Sequence, residues 1–424
     1  MSGPLHWWQT ARSMESLRIQ TGLNGLNFFT AAMQTAFGPF FTVYLTQRGW
    51  SQVDIGFALS IGTIAAIACQ LPAGWVVDHI HLKRVATGIA LILVGISALM
   101  VIMAPYPAWV LVAQVVHSFG SCLITPAIAA LTLVLCSHGT YSERLGVNGR
   151  YASLGAACAA AVLGTFAHFL TERVVFLLAA ALVLPALVCL TLIRSSDRVP
   201  AEVHPAILHP RERRRRKHRA WHIFRETPLH TFAVCVVLFH LSNAAMLPLA
   251  LNELAKRGGH SGLVVSAAII VPQLVSILCS PLAGRLAERL GRRPVLLFGF
   301  AALPLRALLF VSMPDAVPLV MIEVLDGISA TVFGLTMPLI AADVTRRSGY
   351  LNTAIGSLGL AAALGATAST TAAGWVADTL GAPAAFMAMA LVGLCAVGAV
   401  WLMMPETRPG KPLTGRPATV AVAR

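Results

Sequence analysis

Charged residues are scarce in this chain. Asp, Glu, Lys and Arg make up 11% of its 424 residues, where soluble globular domains carry about a quarter. That shortage excludes a soluble domain with an ordinary solvated surface. Paired cysteines are missing as well. Cys69, Cys122, Cys136, Cys158, Cys189, Cys235, Cys279 and Cys395 each stand alone in an apolar stretch, with no C-x-x-C spacing. Neither a zinc site nor a redox pair is expected from them, and they read as small apolar residues. The phosphate-binding sequence G-x-x-x-x-G-K-[ST] and the zinc-hydrolase sequence H-E-x-x-H are both absent, which removes direct ATP drive and that class of catalysis. The net charge of +14 would suit nucleic acid only if the basic residues shared one face of a soluble domain. They do not.

What the chain has is apolar length. Hydrophobic residues make up 57% of it, gathered into runs of the roughly 20 residues that cross a bilayer as a helix. A helix satisfies its own backbone in lipid, so each run reads as a helical span. The runs fall at 21–46, 52–77, 85–104, 108–136, 146–170 and 173–193, then at 229–252, 262–284, 294–313, 316–342, 350–377 and 382–404. The expected fold is an all-α integral membrane protein of twelve transmembrane helices. Residues 1–20 are polar and the first run continues for a full span, so no cleavable signal peptide is expected.

Lys and Arg set the orientation, because basic loops stay on the cytoplasmic side. With both termini inside, 26 basic residues fall in inner segments and four, Arg48, Arg173, Lys256 and Arg257, in outer ones; Arg306 lies within a span. Ten of the inner residues sit between the sixth and seventh runs, around Arg211 to Arg219. That stretch reads as a cytoplasmic linker touching anionic lipid, with no role for nucleic acid. Arg outnumbers Lys 27 to 4, which points to a GC-rich bacterial genome and a bacterial inner (plasma) membrane.

The chain also repeats itself at an offset of 209 or 210. Pro39 matches Pro248, Arg48-Gly49 matches Arg257-Gly258, Ser51 matches Ser261, and Gly74 matches Gly284. Gln114 and His117 match Glu323 and Asp326. This divides the chain into a six-helix unit at 1–194, a linker at 195–228, a second six-helix unit at 229–404 and a cytoplasmic tail at 405–424. Two such units related by an axis along the membrane normal place a solute site between them, near the midplane.

Two loops strengthen the reading. After the eighth run the sequence is Gly284-Arg-Leu-Ala-Glu288-Arg289-Leu-Gly291-Arg292-Arg293; after the second it is Gly74-Trp-Val-Val-Asp78-His79-Ile-His81-Leu82-Lys83-Arg84. These resemble the G-x-x-x-D-R-x-G-R-R loops of the major facilitator superfamily, the first copy being degenerate at His81. The resemblance spans nearly the whole chain, and Gly38-Pro39-Phe40-Phe41 with Leu71-Pro72-Ala73-Gly74 is similar to a bacterial branch of that family. It implies a secondary transporter of a small organic solute. It also implies that Gly74, Asp78, Lys83, Arg84, Gly284, Glu288, Arg289, Gly291, Arg292 and Arg293 form a cytoplasmic gate, whose carboxylates pair when the gate is shut and release when it opens. The fifth run reads Gly155-Ala-Ala-Cys-Ala-Ala-Ala-Val-Leu-Gly164, without the G-P-x-x-G-G signature of the family's drug–proton antiporters.

Polar side chains at membrane depth are costly, and they face a cavity or a partner. The candidates for the substrate or proton pathway are Asn27 and Gln34 in the first run, Gln114 and His117 in the fourth, His240 and Asn243 in the seventh, Arg306 in the ninth, and Glu323 and Asp326 in the tenth. Glu323 and Asp326 are three apart and share a helix face. Asp326 lies about 15 Å into its helix at 1.5 Å per residue, the depth suited to a carboxyl that takes up and releases a proton. The alternative for it is a static pair with Arg306, and for the two histidines neutral hydrogen bonding between helices. The expected activity is proton-coupled export of a small organic solute by a monomer, with uptake as the alternative direction. No metal or organic cofactor is implied. The scattered His and Asp show no nucleophile–base pattern of an enzyme, and no appended signalling domain suggests a receptor.

Overall fold

The computed structural model of the chain describes residues 4–37, 40–41, 44–45, 48–50, 52–80, 83–103, 106–136, 140–169, 172–193, 227–256, 262–312, 315–346 and 348–408. The expected linker up to residue 226, the tail beyond 408, the Gly38-Pro39 pair, Thr42, Val43, His81, Leu82, Arg257 and Ser261 lie outside the described residues.

The described regular structure is helical throughout. The first set of helices is α1 (Pro4–Gln34), α2 (Gln52–His79), α3 (Lys83–Met103), α4 (Pro107–Leu135), α5 (Tyr141–Phe169), α6 (Glu172–Ala181) and α7 (Val183–Leu192). The second is α8 (Thr227–Asn243), α9 (Met246–Lys256), α10 (Gly262–Leu290), α11 (Arg292–Val311), α12 (Ala316–Thr345), α13 (Leu351–Leu380) and α14 (Ala382–Met403). Among the described residues, ten helical stretches are long and apolar enough to cross a membrane, counting 173–192 and 227–254 as one stretch each. Large apolar side chains such as Ile64, Leu278, Phe298, Leu391 and Trp401 point outward, a surface suited to lipid and not to water.

Three helices depart from the sequence reading. Helix α1 begins at Pro4, well before residue 21, and its α-helical part ends at Gln34, where a 3-10 turn over Thr35–Phe37 follows. The run at 173–193 breaks after Ala181 and the run at 229–252 breaks after Asn243. Pro185 and Pro248 explain both breaks, since each lacks the N–H that a carbonyl four residues earlier, on Ala181 or Ala244, needs. At the second break the N–H of Ala245 finds Ser369 Oγ instead, at 3.2 Å. Helix α13 stops at Gly381, whose φ of 88° is a left-handed conformation that closes a helix end at little cost to glycine.

Four clusters of buried apolar side chains hold the helices together. Two draw wholly on residues 23–193 and one wholly on 245–390. The fourth draws on 229–404 but takes in Ala129, Tyr141 and Leu145 from the first set. The two sets meet chiefly through α2 against α13 and α5 against α10.

Candidate functional site

Both contact pairs converge at one end of the bundle on the loops singled out by sequence. Asp78 closes α2 and is buried there. Its Oδ1 accepts from the backbone N–H and side-chain amide of Asn352, at 3.0 and 2.7 Å. Its Oδ2 accepts from the N–H and hydroxyl of Thr353, at 2.7 and 2.6 Å. Asn352 and Thr353 are the second and third residues of α13, whose first N–H groups have no partner inside their own helix. The carboxylate therefore caps a helix from across the interface, at the end where the helix dipole favours negative charge. In the second copy Glu288 accepts from Ser142 Oγ at 2.7 Å and pairs with Arg292 at 3.2 Å. Ser142 and Asn352 are themselves related by the offset of 210 that relates Asp78 to Glu288.

Glycines permit these contacts. A Cβ on Gly74 would strike the carbonyl oxygen of Asn352, and one on Gly284 would stand 2.6 Å from that of Ser142. Gly356 meets Gln70 and Gly146 meets Ser280 in the same way, again at an offset of 210 between the two sets. The interface is a repeated unit of helix end, glycine and carboxylate.

The basic residues of the loops act unequally. Arg292 is buried and bonds Asp343 at 2.9 Å, Glu288, and the carbonyl of Ala287 at 2.8 Å. Glu406 accepts from the backbone N–H groups of Arg292 and Arg293, at 2.9 and 3.1 Å. Gly291, at φ 107°, leaves room for that carboxylate. Arg293 reaches the carbonyl of Trp401, and Arg289 offers its own carbonyl to Arg408 at 2.9 Å. Lys83 donates to the carbonyls of Val77 and Asp78, at 2.5 and 3.4 Å, and not to the Asp78 carboxylate. Arg84 has no ion-pair partner among the described residues. Asn352, Thr353, Ser142, Asp343 and Glu406 were missed by sequence reasoning. The repeat offset held a signal for Ser142 and Asn352, which match each other as Asp78 and Glu288 do.

A second cluster lies between α8, α11 and α12. The side chain of Arg306 is only 2% exposed and faces two carboxylates. Its Nη2 donates to both oxygens of Glu323 at 2.8 Å. Its Nη1 donates to Asp326 and to Asn243, each at 2.6 Å. Glu323 is fully buried, while the Asp326 side chain keeps 20% exposure. Four of the sequence candidates thus form one group, with two anions against one cation.

Between the two sets lies a cavity of about 400 Å³. Its wall comes from α1, α4 and α5 on one side and from α10 and α12 on the other. Of the sequence candidates it includes Asn27 and Gln34; it also includes Thr30, Asn148, Gln273, Ser276, Ser280 and Thr331, which sequence reasoning passed over. His117 is not on this wall. Its ring stacks on Phe37 with centroids 3.7 Å apart, and its Nε2 lies 3.2 Å from Ser121 Oγ, which donates to Gln34 Oε1 at 2.9 Å. Gln114 is buried against Gly62 of α2. His240 bonds the carbonyl of Val236 in its own helix at 3.0 Å and stands edge-on to Phe333. Asn27 turns its amide to the carbonyl of Leu23 at 2.8 Å. No three His, Cys, Asp or Glu side chains converge as metal ligands among the described residues.

Two helical sets, paired carboxylate loops and a cavity between the sets have a counterpart in sequence comparison. The profile of the Major Facilitator Superfamily matches residues 23–257 and 232–423. The chain belongs to that superfamily. It is a multi-pass membrane transporter and not an enzyme. Two uncharacterized MFS-type transporters of Mycobacterium tuberculosis, from strains CDC 1551 / Oshkosh and ATCC 25618 / H37Rv, are each 33% identical to it over 410 residues, covering 92% of this chain and 94% of theirs. Solved structures share the fold of this superfamily member at lower identity. The Escherichia coli fucose:proton symporter matches with a TM-score of 0.73 and 14% identity, over 90% of this chain and 97% of that one. The human organic anion transporter MFSD10 (TETRAN) matches at 0.71 and 15%, over 90% and 99%. A proton:xylose symporter bound to 6-bromo-6-deoxy-D-glucose matches at 0.69 and 14%, over 93% and 96%.

Proposed function

We propose that this transporter couples the movement of a small organic solute to protons, through twelve spans arranged as two six-helix bundles with both termini in the cytoplasm. Helices α1 and α5 supply the two spans beyond the ten apolar stretches. Their described turns carry Asn24, Asn27 and Gln34, and Arg144, Asn148 and Arg150, so two of the five helices that wall the cavity are also polar ones. The carboxylate loops then lie at the cytoplasmic face as a closed gate, and the setting is a bacterial inner membrane, with the monomer as the working unit.

The observation that carries proton coupling is the shared guanidinium of Arg306. Two carboxylates against one cation leave one negative charge in a setting where an unpaired charge is costly. Binding a proton at one carboxylate removes the excess. Glu323, fully buried and held by both oxygens, is the standing partner. Asp326, partly exposed, is the group that takes and releases the proton. The solved proton symporters named above carry the same fold, which is consistent with this coupling.

Export is the direction we propose, with uptake as the alternative. Purified protein in liposomes, loaded with a candidate solute and given an imposed pH gradient, should release the solute faster than without the gradient. Flux equal under both conditions would remove proton coupling. Gradient-driven accumulation in the opposite sense would reassign the direction to uptake.

A further inference from the structure

The cavity differs in kind from the charged cluster and the gate. Among the described residues no side chain on its wall is ionisable and none is aromatic. Amides and hydroxyls take their place, and several have bonding capacity left over. The amide of Gln273 and the hydroxyls of Ser153 and Ser280 have no partner among the described residues. Gln34 uses its Oε1 on Ser121, which leaves the two N–H donors of its amide for the cavity. Polar groups left open on a wall can each give or accept a bond with something that enters. Ile124, Ile128, Leu335 and Pro338 supply an apolar face to the same space.

Charge decides what can enter. An ionised carboxylate, phosphate or ammonium placed here would leave water with no opposite charge on the wall to meet it, which is the expensive case. Two cations outside the wall are held by protein groups. Arg306 is held by Glu323, Asp326 and Asn243. Arg144 donates to Asn24 and to Asn148, at 2.6 and 2.9 Å. A neutral compound with hydroxyl or amide groups pays no such cost, because each bond it gives up to water is replaced by Gln34, Gln273 or a serine. The volume, about 400 Å³, sits at the small end of the roughly 300–1,000 Å³ spanned by ligand pockets.

We infer that the solute carried through this cavity is a small uncharged organic compound bearing several hydroxyl or amide groups, and not an organic anion or cation. The assignment rests on the transport reading above. It separates the two sites by chemistry: the charged cluster handles the proton and the neutral cavity handles the solute.

The test uses the full chain purified in detergent, with D-xylose, myo-inositol and N-acetyl-D-glucosamine as neutral probes and D-gluconate, benzoate and choline as charged ones. At least one neutral probe should raise the melting temperature saturably. Gln273→Leu should weaken that binding about tenfold, the effect of one lost hydrogen bond, and Ser153→Ala serves as the second variant should Gln273→Leu lower the ligand-free melting temperature. Saturable binding of a charged probe that Gln273→Leu weakens, or no binding by any neutral probe, would overturn the inference. Flux in liposomes separates the two readings. A charged probe that is transported sinks the neutral-solute assignment and leaves transport standing. A neutral probe that binds and is moved at the same rate with and without a pH gradient leaves the assignment standing and sinks the proton coupling.

Discussion

Asp78 of α2 and Thr353 of α13 are joined twice, the backbone N–H and the hydroxyl of Thr353 both donating to Oδ2, at 2.7 and 2.6 Å. Asn352 adds two donors to Oδ1. One carboxylate thus ties a helix of the first set to the start of a helix in the second.

Asp78→Asn exchanges an acceptor for an amide donor that faces N–H groups. Hydrogen bonds to a charged group contribute about 1.5–3 kcal/mol each, so the interface should lose several kcal/mol and transport should fall severely, while insertion into the membrane persists. Glu288→Gln weakens two such bonds, from Ser142 and Arg292, against four at Asp78, and should cost less. Flux per membrane-inserted protein measures both. Normal flux in both variants would remove the gate reading, and equal loss would remove the ranking.

Gly74 owes its role to the space it leaves beside the Asn352 carbonyl. Gly74→Val should push α2 from α13 and open that end of the bundle. In a cysteine-free background carrying Ser153→Cys, whose position faces the cavity, labelling by an impermeant thiol reagent in inside-out vesicles should speed up. An unchanged rate would show that closure does not depend on this close approach.

The Arg306 cluster predicts unequal variants. Asp326→Asn leaves Arg306 bonded to both oxygens of Glu323, so the fold should hold. Gradient-driven accumulation should stop while exchange of solute continues. Arg306→Gln strands two carboxylates, and loss of one partner of a buried pair costs about 3–5 kcal/mol, which should appear as a large drop in melting temperature. The double variant Arg306→Gln with Asp326→Asn should recover only part of the lost stability, because Glu323 stays buried without its cation, and should not recover pH-driven flux. Recovery of both properties would rule out a proton-carrying role for Asp326.

The proposed orientation, with both termini in the cytoplasm, puts residues 195–228 inside the cell. A cysteine at Ser196, with the eight native cysteines replaced, should resist an impermeant thiol reagent in intact cells. Ready labelling would reverse the orientation.

The sequence by itself determined the membrane class, the apolar stretches, the repeat and the paired carboxylate loops. Each of these rests on quantities that add up locally along the chain: apolar length, charge count and spacing. Even the two helix breaks were legible in principle, since Pro185 and Pro248 each act on a carbonyl four residues back. Which way a polar side chain faces is another matter. A helix apolar on every side does not set its own rotation, so the contacts that Gln114, His117 and His240 make with Gly62, Phe37 and Phe333 were not legible. Gln273 and Asn148, by contrast, reach the cavity wall. Partnership across the interface was further out of reach. Thr353 stands 275 residues beyond Asp78, and Glu406 stands 114 beyond Arg292. Only the packing of α2 on α13 and α5 on α10 brought such groups together, because hydrogen bonds of under 3 Å depend on the final position of every helix at once.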